Sequence, residues 1–284
     1  MQPLSSTYYV KLPEFNFKPV TLLLFIVSAI VAWIINIFGY SFFPTQNLVP
    51  FIARTLITLL TDLALVYISF RLLKRNNLTP KALGLSLSGK TITNILGGAF
   101  IGIFAIAILA GLIYAFIPFH FVSGKLGALQ VLQESISYLV GNTVEELMFR
   151  GFLFIILSQL IGWKKSSLVT ALLFGLFHLQ GTGLTLDGLK MVATTACYSF
   201  VFCFTMILLR SLWAAITVHA VSNILLHAIT GLDGANKSLY SPVFEKNWPK
   251  GYDAGLILFI SCAVIISFVL FFLIQTLDQR HTRQ

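Results

Sequence analysis

The sequence predicts an all-α fold: a polytopic integral membrane protein with about eight transmembrane helices and a central site within the membrane. The first observation is the composition: the 284 residues are 57% hydrophobic and only 10% charged, whereas soluble domains carry about 25% charged residues. The second is that apolar runs of about 18 or more residues recur along the chain, as expected of spanning helices. The third is the lack of the alternating segments of about ten residues that mark spanning β-barrels. In lipid the backbone N–H and C=O groups must be hydrogen-bonded within the protein, so without a barrel the spans are helices.

The predicted helices follow one another with short polar loops between them. Pro44 and Pro50 mark the loop after the first helix, and Pro118 ends the third. The stretch from 126 to 163 exceeds the roughly 20 residues that one span needs, so we divide it into an amphipathic helix at 127–137 and a span. The predicted spans are 20–40, 51–73, 92–117, 138–161, 165–179, 187–209, 211–230 and 254–276. Together they form a single transmembrane domain over residues 1–284.

Basic residues predict the orientation of the chain. The net charge is +9, and because lysine and arginine cluster between apolar segments, as orientation signals do, no nucleic-acid partner is expected. With eight spans both termini lie on one side, and the excess of basic residues on that side predicts that they are cytoplasmic. The expected location is a bacterial inner or plasma membrane, with the lipid bilayer as the surroundings. The basic residues of that side are Lys11, Lys18, Arg71, Lys74, Arg75, Lys81, Lys90, Lys164, Lys165, Arg210, Arg280 and Arg283.

Three charged residues interrupt an apolar run in the segment VEELMFRG, residues 144 to 151. Each charge at the centre of a spanning helix costs about 2.5–3.5 kcal/mol on insertion scales. Glu146 and Arg150 are four residues apart, so they lie on one helix face and can form an ion pair. Glu145 points about 100° away from Glu146 and is left without a local cation. A structural ion pair explains Glu146 and Arg150, but it leaves Glu145 as a candidate general base.

Two further segments place polar residues on neighbouring spans. Phe174 and His178 are four residues apart near the end of the fifth predicted span, and His219 and Asn223 are four apart on the seventh. Either histidine alone would be an ordinary packing residue. With the two glutamates and the arginine they fall on three successive spans, so we expect them to converge on one site. His227, eight residues after His219, is a further candidate to line it.

These side chains are suited to the hydrolysis of an amide bond. A glutamate with a histidine can activate a water molecule, and a second histidine with an asparagine amide can donate hydrogen bonds to the oxyanion of a tetrahedral intermediate. A metal site is the alternative, because Glu145, His178 and His219 could hold Zn²⁺ with an open position for water. The residues leave both mechanisms open.

The same residues resemble the signature of the family of CAAX prenyl proteases and bacteriocin-processing enzymes (CPBP), also called the abortive-infection family. Its pattern is EExxxR, FxxxH and HxxxN on successive spans. This sequence has EELMFR at 145–150, FGLFH at 174–178 and HAVSN at 219–223. All three motifs occur in the order and spacing of the family, and the resemblance covers roughly residues 135–230.

The resemblance implies an eight-helix intramembrane endopeptidase that acts on a peptide or protein substrate at the membrane. It implies that Glu145 is the base and that His178 helps to position the attacking water. It further implies that His219 and Asn223 form the oxyanion hole.

The remaining motif residues are supporting groups in this family. The resemblance implies that Arg150 holds Glu146, that Glu146 supports the site, and that Phe174 walls the substrate pocket. Members have been described both as metal-dependent and as metal-independent, glutamate-type enzymes. The asparagine of the third motif favours a mechanism without a cofactor, with zinc as the alternative.

Two other classes of function are compatible with the composition. A non-enzymatic immunity or scaffold protein of the same fold would not need the three intact motifs. A transporter would use intramembrane acids, but such proteins often show paired inverted repeats and broken helices, which the sequence does not indicate. The protease is therefore the preferred interpretation.

Overall fold

The computed structural model describes residues 15–42, 48–179, 183–233, 237–245 and 252–282. Helices dominate it, and the all-α polytopic prediction is confirmed. A 3₁₀ turn at Pro80–Leu83 precedes α3, and π-helical turns at Leu147–Gly151 and Ile224–Ile229 follow α4 and α8. The α-helices are α1 Pro19–Phe42, α2 Leu48–Arg75, α3 Thr91–Phe116, α4 Ala128–Glu146, α5 Phe152–Ile161, α6 Trp163–Phe177, α7 Leu186–Leu209, α8 Leu212–Asn223 and α9 Tyr252–Thr282.

In the described part of the chain, six helices are long and apolar enough to cross a membrane: α1, α2, α3, α7, α8 with its π-helical continuation, and α9. The predicted count of eight spans is not confirmed. α6 has 15 residues, which makes it about 22 Å long, shorter than the roughly 30 Å hydrocarbon core. α4 carries several polar residues, and α5 has only 10 residues. Two helical segments therefore lie outside the six: α4 with α5, which carries the first motif, and α6, which carries the second.

The stretch from Ala128 to Ile161 differs from its prediction. A division near residue 137 is wrong, because α4 runs through this point without a break. Ser137 is accommodated in the helix because its hydroxyl donates to the carbonyl of Gln133, one turn earlier, at 2.9 Å. The irregularity is instead the π-helical turn directly after Glu146, and such turns are frequent at functional sites.

A two-stranded sheet joins two loops at one end of the bundle. β1 Phe119–Ser123 pairs antiparallel with β2 Tyr240–Phe244, where the sequence had predicted a loop after the third helix. We call this the sheet end. The opposite end, the basic end, carries Lys18, Lys74, Arg75, Lys81, Lys90, Lys164, Lys165 and Arg210.

The start of α1 and the later half of α9 both lie toward the basic end. The backbone N–H of Lys18 donates to Oδ1 of Asn76 at 2.8 Å, so α1 begins beside the end of α2. The ring of Phe271, in the later half of α9, lies 5.7 Å from that of Trp163 at the start of α6. The chain therefore enters and leaves its described helices on one side of the bundle.

α8 packs closely against α3 through two glycines. A Cβ at Gly98 would lie 2.4 Å from the carbonyl oxygen of Ala214, and one at Gly102 would lie 3.0 Å from that of Val218. The glycines are four residues apart and let the two backbones touch, as small residues do between membrane helices. Since His219 follows Val218 directly, this contact fixes the position of the third-motif histidine.

Candidate active site

A buried ion pair forms the innermost part of the site. Nη1 of Arg150 lies 3.0 Å from Oε1 of Glu146, and both side chains are fully buried. Arg150 also donates to the carbonyl of Ser199 on α7 at 3.3 Å and to the Ser199 hydroxyl. Its guanidinium carbon lies 4.3 Å from the ring centroid of Phe174 on α6. The pairing predicted from the i, i+4 spacing is confirmed, and the arginine ties α6 and α7 to Glu146 at the end of α4.

His219 lies between the two glutamates. Its Nδ1 is 2.8 Å from Oε1 of Glu146, and it donates to that oxygen when Glu146 is ionised. Its Nε2 is 3.9 Å from Oε2 of Glu145. The imidazole stacks on the ring of Phe202 with 4.2 Å between the ring centroids. His219 therefore faces one carboxylate with each ring nitrogen, and its ring plane is fixed by packing.

Glu145 and Glu146 differ in exposure and in partners. The side chain of Glu145 is 24% exposed, whereas that of Glu146 is 0% exposed. Among the described residues, Oε2 of Glu145 has no hydrogen-bond partner, because 3.9 Å is too long for a direct bond. A water molecule can bridge polar atoms at such a separation. Oε2 of Glu146 is unpaired as well, but Oε1 of Glu146 is engaged by Arg150 and His219, whereas no hydrogen bond of the Glu145 side chain is found among the described residues.

Phe174 packs against the imidazole rings of both His178 and His219. Phe174 is almost fully buried, with its ring centroid 4.7 Å from that of His178 and 5.7 Å from that of His219. Nδ1 of His178 lies 2.8 Å from the carbonyl of Phe174. The structure describes no hydrogen bond between His178 and Glu145, the two residues predicted to activate water. His178 contacts Phe174, Phe174 contacts His219, and His219 in turn faces Glu145.

Asn223 contacts a residue that the sequence analysis did not single out. Its Nδ2 donates to Oδ1 of Asn142 on α4 at 3.3 Å. Asn142 is 4% exposed and lies one helical turn before the two glutamates. Asn223 therefore contacts α4 through Asn142. This contact lies one helical turn from the place where His219 faces Glu145.

Polar contacts continue toward the sheet end. The ring of Tyr138 stacks on that of His227 with 5.5 Å between centroids, and Nδ1 of His227 lies 2.6 Å from Oδ2 of Asp233. Each step of four residues toward the start of α4 is thus matched by a step of four residues toward the end of α8 and its π-helical continuation. This matching shows that the two helices run antiparallel. We call the resulting three pairs the polar ladder. They are Glu146–His219, Asn142–Asn223 and Tyr138–His227.

Sequence spacing held a signal for the missed residues of the ladder. Tyr138, Asn142, Glu146 and Arg150 repeat every four residues, which places them along one side of a helix. The same spacing separates His219, Asn223 and His227. Ser199, by contrast, had no such signal, because its contact with Arg150 depends on how α7 packs.

The candidate zinc ligands are not gathered as a metal centre requires. Over the described ranges, no group of three or more His, Cys, Asp or Glu side chains could hold a metal ion. Glu145 and His219 approach each other, and Nδ1 of His178 is held by the carbonyl of its own helix, which leaves Nε2 of His178 as its possible ligand atom. The described arrangement therefore does not fit a three-ligand zinc site.

Residues 127–225 match the family model described as Rce1-like, type II CAAX prenyl endopeptidase. The matched segment runs from the start of α4 into the π-helical turn after α8, and it contains all three motifs. No curated protein matches the chain significantly. The resemblance that the motifs indicate is thereby confirmed for this segment, and it supports a CAAX-protease-like intramembrane endopeptidase.

Proposed function

We propose that the chain is an intramembrane endopeptidase in which Glu145 activates the attacking water. One observation carries this proposal: Glu146 is engaged by Arg150 and His219, whereas the adjacent Glu145 is partly exposed and its Oε2 lies 3.9 Å from Nε2 of His219 without a direct hydrogen bond. A carboxylate with a free oxygen beside an imidazole nitrogen is the arrangement that general-base catalysis needs.

These contacts support the following course of the reaction. Glu145 takes a proton from water as the water oxygen bonds to the scissile carbonyl carbon, and the carbonyl electrons move to its oxygen. The carboxylate of Glu146 stabilises the protonated imidazole of His219, so that Nε2–H of His219 can donate to this oxyanion, together with the amide of Asn223. The oxyanion electrons then re-form the carbonyl as the C–N bond breaks, and Glu145 passes its proton to the leaving nitrogen. We assign His178 to orient the same water through its Nε2, because its Nδ1 is held by the carbonyl of Phe174.

The substrate class follows from the family match and the membrane setting. A protease of this family acts on a peptide, and the site lies between helices within the membrane bundle, so we propose a peptide or protein held at the bilayer. A prenylated C-terminal peptide is the first substrate to test, because the matched family is described as a prenyl endopeptidase.

Both termini are proposed to be cytoplasmic, in a bacterial plasma membrane. The basic end collects eight lysine and arginine residues, and the start of α1 and the later half of α9 both lie toward it. Basic residues are retained on the cytoplasmic side. Reporter fusions at the C-terminus should therefore give a cytoplasmic signal, and a periplasmic signal would reverse the orientation.

Substitution of Glu145 by Gln tests the proposed base. The purified protein in detergent is incubated with a farnesylated CAAX peptide and with the same peptide lacking the lipid, and products are identified by mass spectrometry. Loss of the base should lower kcat by about 1000-fold or more. Glu134→Gln, the same change on the same helix, is the matched control and should stay within about threefold of the wild type.

The result separates the alternatives. A folded Glu145→Gln protein that cleaves as well as the wild type would remove Glu145 from the mechanism. A wild-type protein that cleaves neither peptide nor any member of a mixed peptide library would favour a non-enzymatic scaffold. A tight chelator should leave activity intact, whereas loss of activity that returns with stoichiometric zinc would establish the metal mechanism.

A further inference from the structure

Asn142 is a buried amide at the centre of the polar ladder. It precedes Glu145 by three residues and Glu146 by four, so it lies one turn before both, at an angle between them. Its Oδ1 accepts the hydrogen bond from Asn223 at 3.3 Å, which fixes its amide plane against α8. Asn142 therefore lies level with Asn223, which the proposed function places in the oxyanion hole.

The nitrogen of the same amide is unused. Nδ2 of Asn142 is buried and has no hydrogen-bond partner within the residues that the structure describes. Buried donors in native proteins are almost always paired, so an unpaired one beside a catalytic glutamate indicates a group that pairs with a bound molecule. An amide nitrogen can only donate, so the group that it would meet is an acceptor, such as a carbonyl oxygen or an oxyanion.

The other donors of the site are already partly engaged. Nδ1 of His219 is held by Glu146, and Nδ1 of His178 by the carbonyl of Phe174. One amide hydrogen of Asn223 is directed to Asn142. Among these amide and imidazole groups, the amide nitrogen of Asn142 is the one with both hydrogens available.

We propose that Asn142 is a further catalytic residue whose Nδ2 donates a hydrogen bond to the scissile carbonyl oxygen as it becomes the oxyanion. This inference rests on the proposed endopeptidase function and extends its oxyanion hole from α8 to α4. Asn223 then has two tasks: it donates to the same oxygen with its second amide hydrogen, and it holds Asn142 in place.

Substitution of Asn142 by Leu removes both polar atoms while keeping the number and branching of the side-chain heavy atoms. Because the donor acts on charge that develops in the transition state, kcat should fall about 100- to 1000-fold while KM stays within about threefold. Asn142→Ala, which cannot clash with α8, serves as the second variant and should show the same loss. The matched control is Thr143→Val, since the Thr143 hydroxyl donates to the carbonyl of Leu139 in its own helix and lies outside the site.

Two measurements separate a direct role from a structural one. Asn142→Leu should weaken binding of a phosphinate analogue of the tetrahedral intermediate by the same factor as kcat/KM, and leave binding of the uncleaved peptide to a Glu145→Gln background unchanged. In an Asn223→Leu background, loss of Asn142 should lower kcat by a further tenfold or more. If no further loss occurs, Asn142 only positions Asn223 and the proposal is overturned.

The outcomes also distinguish this inference from the proposed function. A wild-type enzyme that cleaves the peptide while both Asn142 variants retain kcat within about threefold overturns the role of Asn142 alone. A rise in KM at unchanged kcat would likewise overturn it, since the amide would then bind substrate and transition state equally. Failure of the wild type to cleave any peptide overturns the endopeptidase function itself.

Discussion

The two sides of α8 are built in opposite ways. Toward α3 the contact is made by Gly98 and Gly102, against which the carbonyl groups of Ala214 and Val218 pack with no room for a Cβ. Toward α4 the contact is the polar ladder, which is made by side chains. One helix thus carries a backbone contact on one side and a row of polar pairs on the other.

The difference shows how a membrane bundle positions costly polar groups. Apolar surface gains little from helix association in lipid, so the α3 side depends on close van der Waals packing. Polar side chains find no water in the hydrocarbon region, so those on the α4 side depend on one another. The glycine contact sets where α8 lies, and the hydrogen bonds of the polar ladder depend on that position. Each side can be broken separately.

The largest effect is expected from Arg150→Leu. This change leaves Glu146 buried without its cation, and breaking a buried ion pair costs about 3–5 kcal/mol. The free energy of unfolding, measured by denaturant titration in detergent micelles, should fall by that amount. Activity should also be lost, because Glu146 holds His219.

Removal of both charges provides the control. The double variant Glu146→Leu, Arg150→Leu leaves no unpaired charge, so it should recover at least half of the stability that the single variant loses. It should not recover activity. If the double variant is as unstable as the single one, the contacts of Arg150 with Ser199 and Phe174, and not its charge pairing, stabilise the fold.

An intermediate effect is expected on the apolar side from Gly98→Ala. A Cβ here would lie 2.4 Å from the carbonyl oxygen of Ala214, so α8 must shift, at a cost of about 1–3 kcal/mol. Because His219 moves with α8, kcat should fall as well. Gly111→Ala on the same helix is the matched control, since a Cβ there meets nothing within 4 Å, and it should be neutral or slightly stabilising. Equal effects of the two changes would show that α8 is not positioned by this contact.

The sequence predicted the polar side of α8 better than the apolar side. The spacing of Glu146, Arg150 and His219 was enough to expect an ion pair and a convergent site, because charged residues in an apolar run are rare and must find partners. Most helix ends were also predicted closely, because apolar runs end where loops become polar, but the start of α4 and the end of α9 were not. The roles assigned to these residues stay predictions, since contacts alone do not measure catalysis.

Other features depend on tertiary packing and left little trace in the sequence. Gly98 and Gly102 are two among 20 glycines, and nothing local marks them as the contact with α8. The pairing of β1 with β2 joins segments far apart in the chain, so the first strand resembled a loop. The π-helical turn after Glu146 likewise leaves no mark in the pattern of apolar residues. Its hydrogen bonds join residues five apart where those of an α-helix join residues four apart, and a single such turn hardly changes the pattern.

The smallest effect is expected beyond the polar ladder, where Asp233 contacts His227 of the outer pair, from Asp233→Asn. The side chains of His227 and Asp233 are 32% and 21% exposed, so solvent screens their interaction, and exposed ion pairs contribute about 0.2–1 kcal/mol. Unfolding free energy should fall within that range, with kcat unchanged, because His227 lies two turns from His219. Asp187→Asn, which breaks the surface pair with Lys190 at 3.6 Å, is the matched control and should behave alike. A tenfold loss of kcat in Asp233→Asn alone would instead extend the active site along the ladder to its outermost pair.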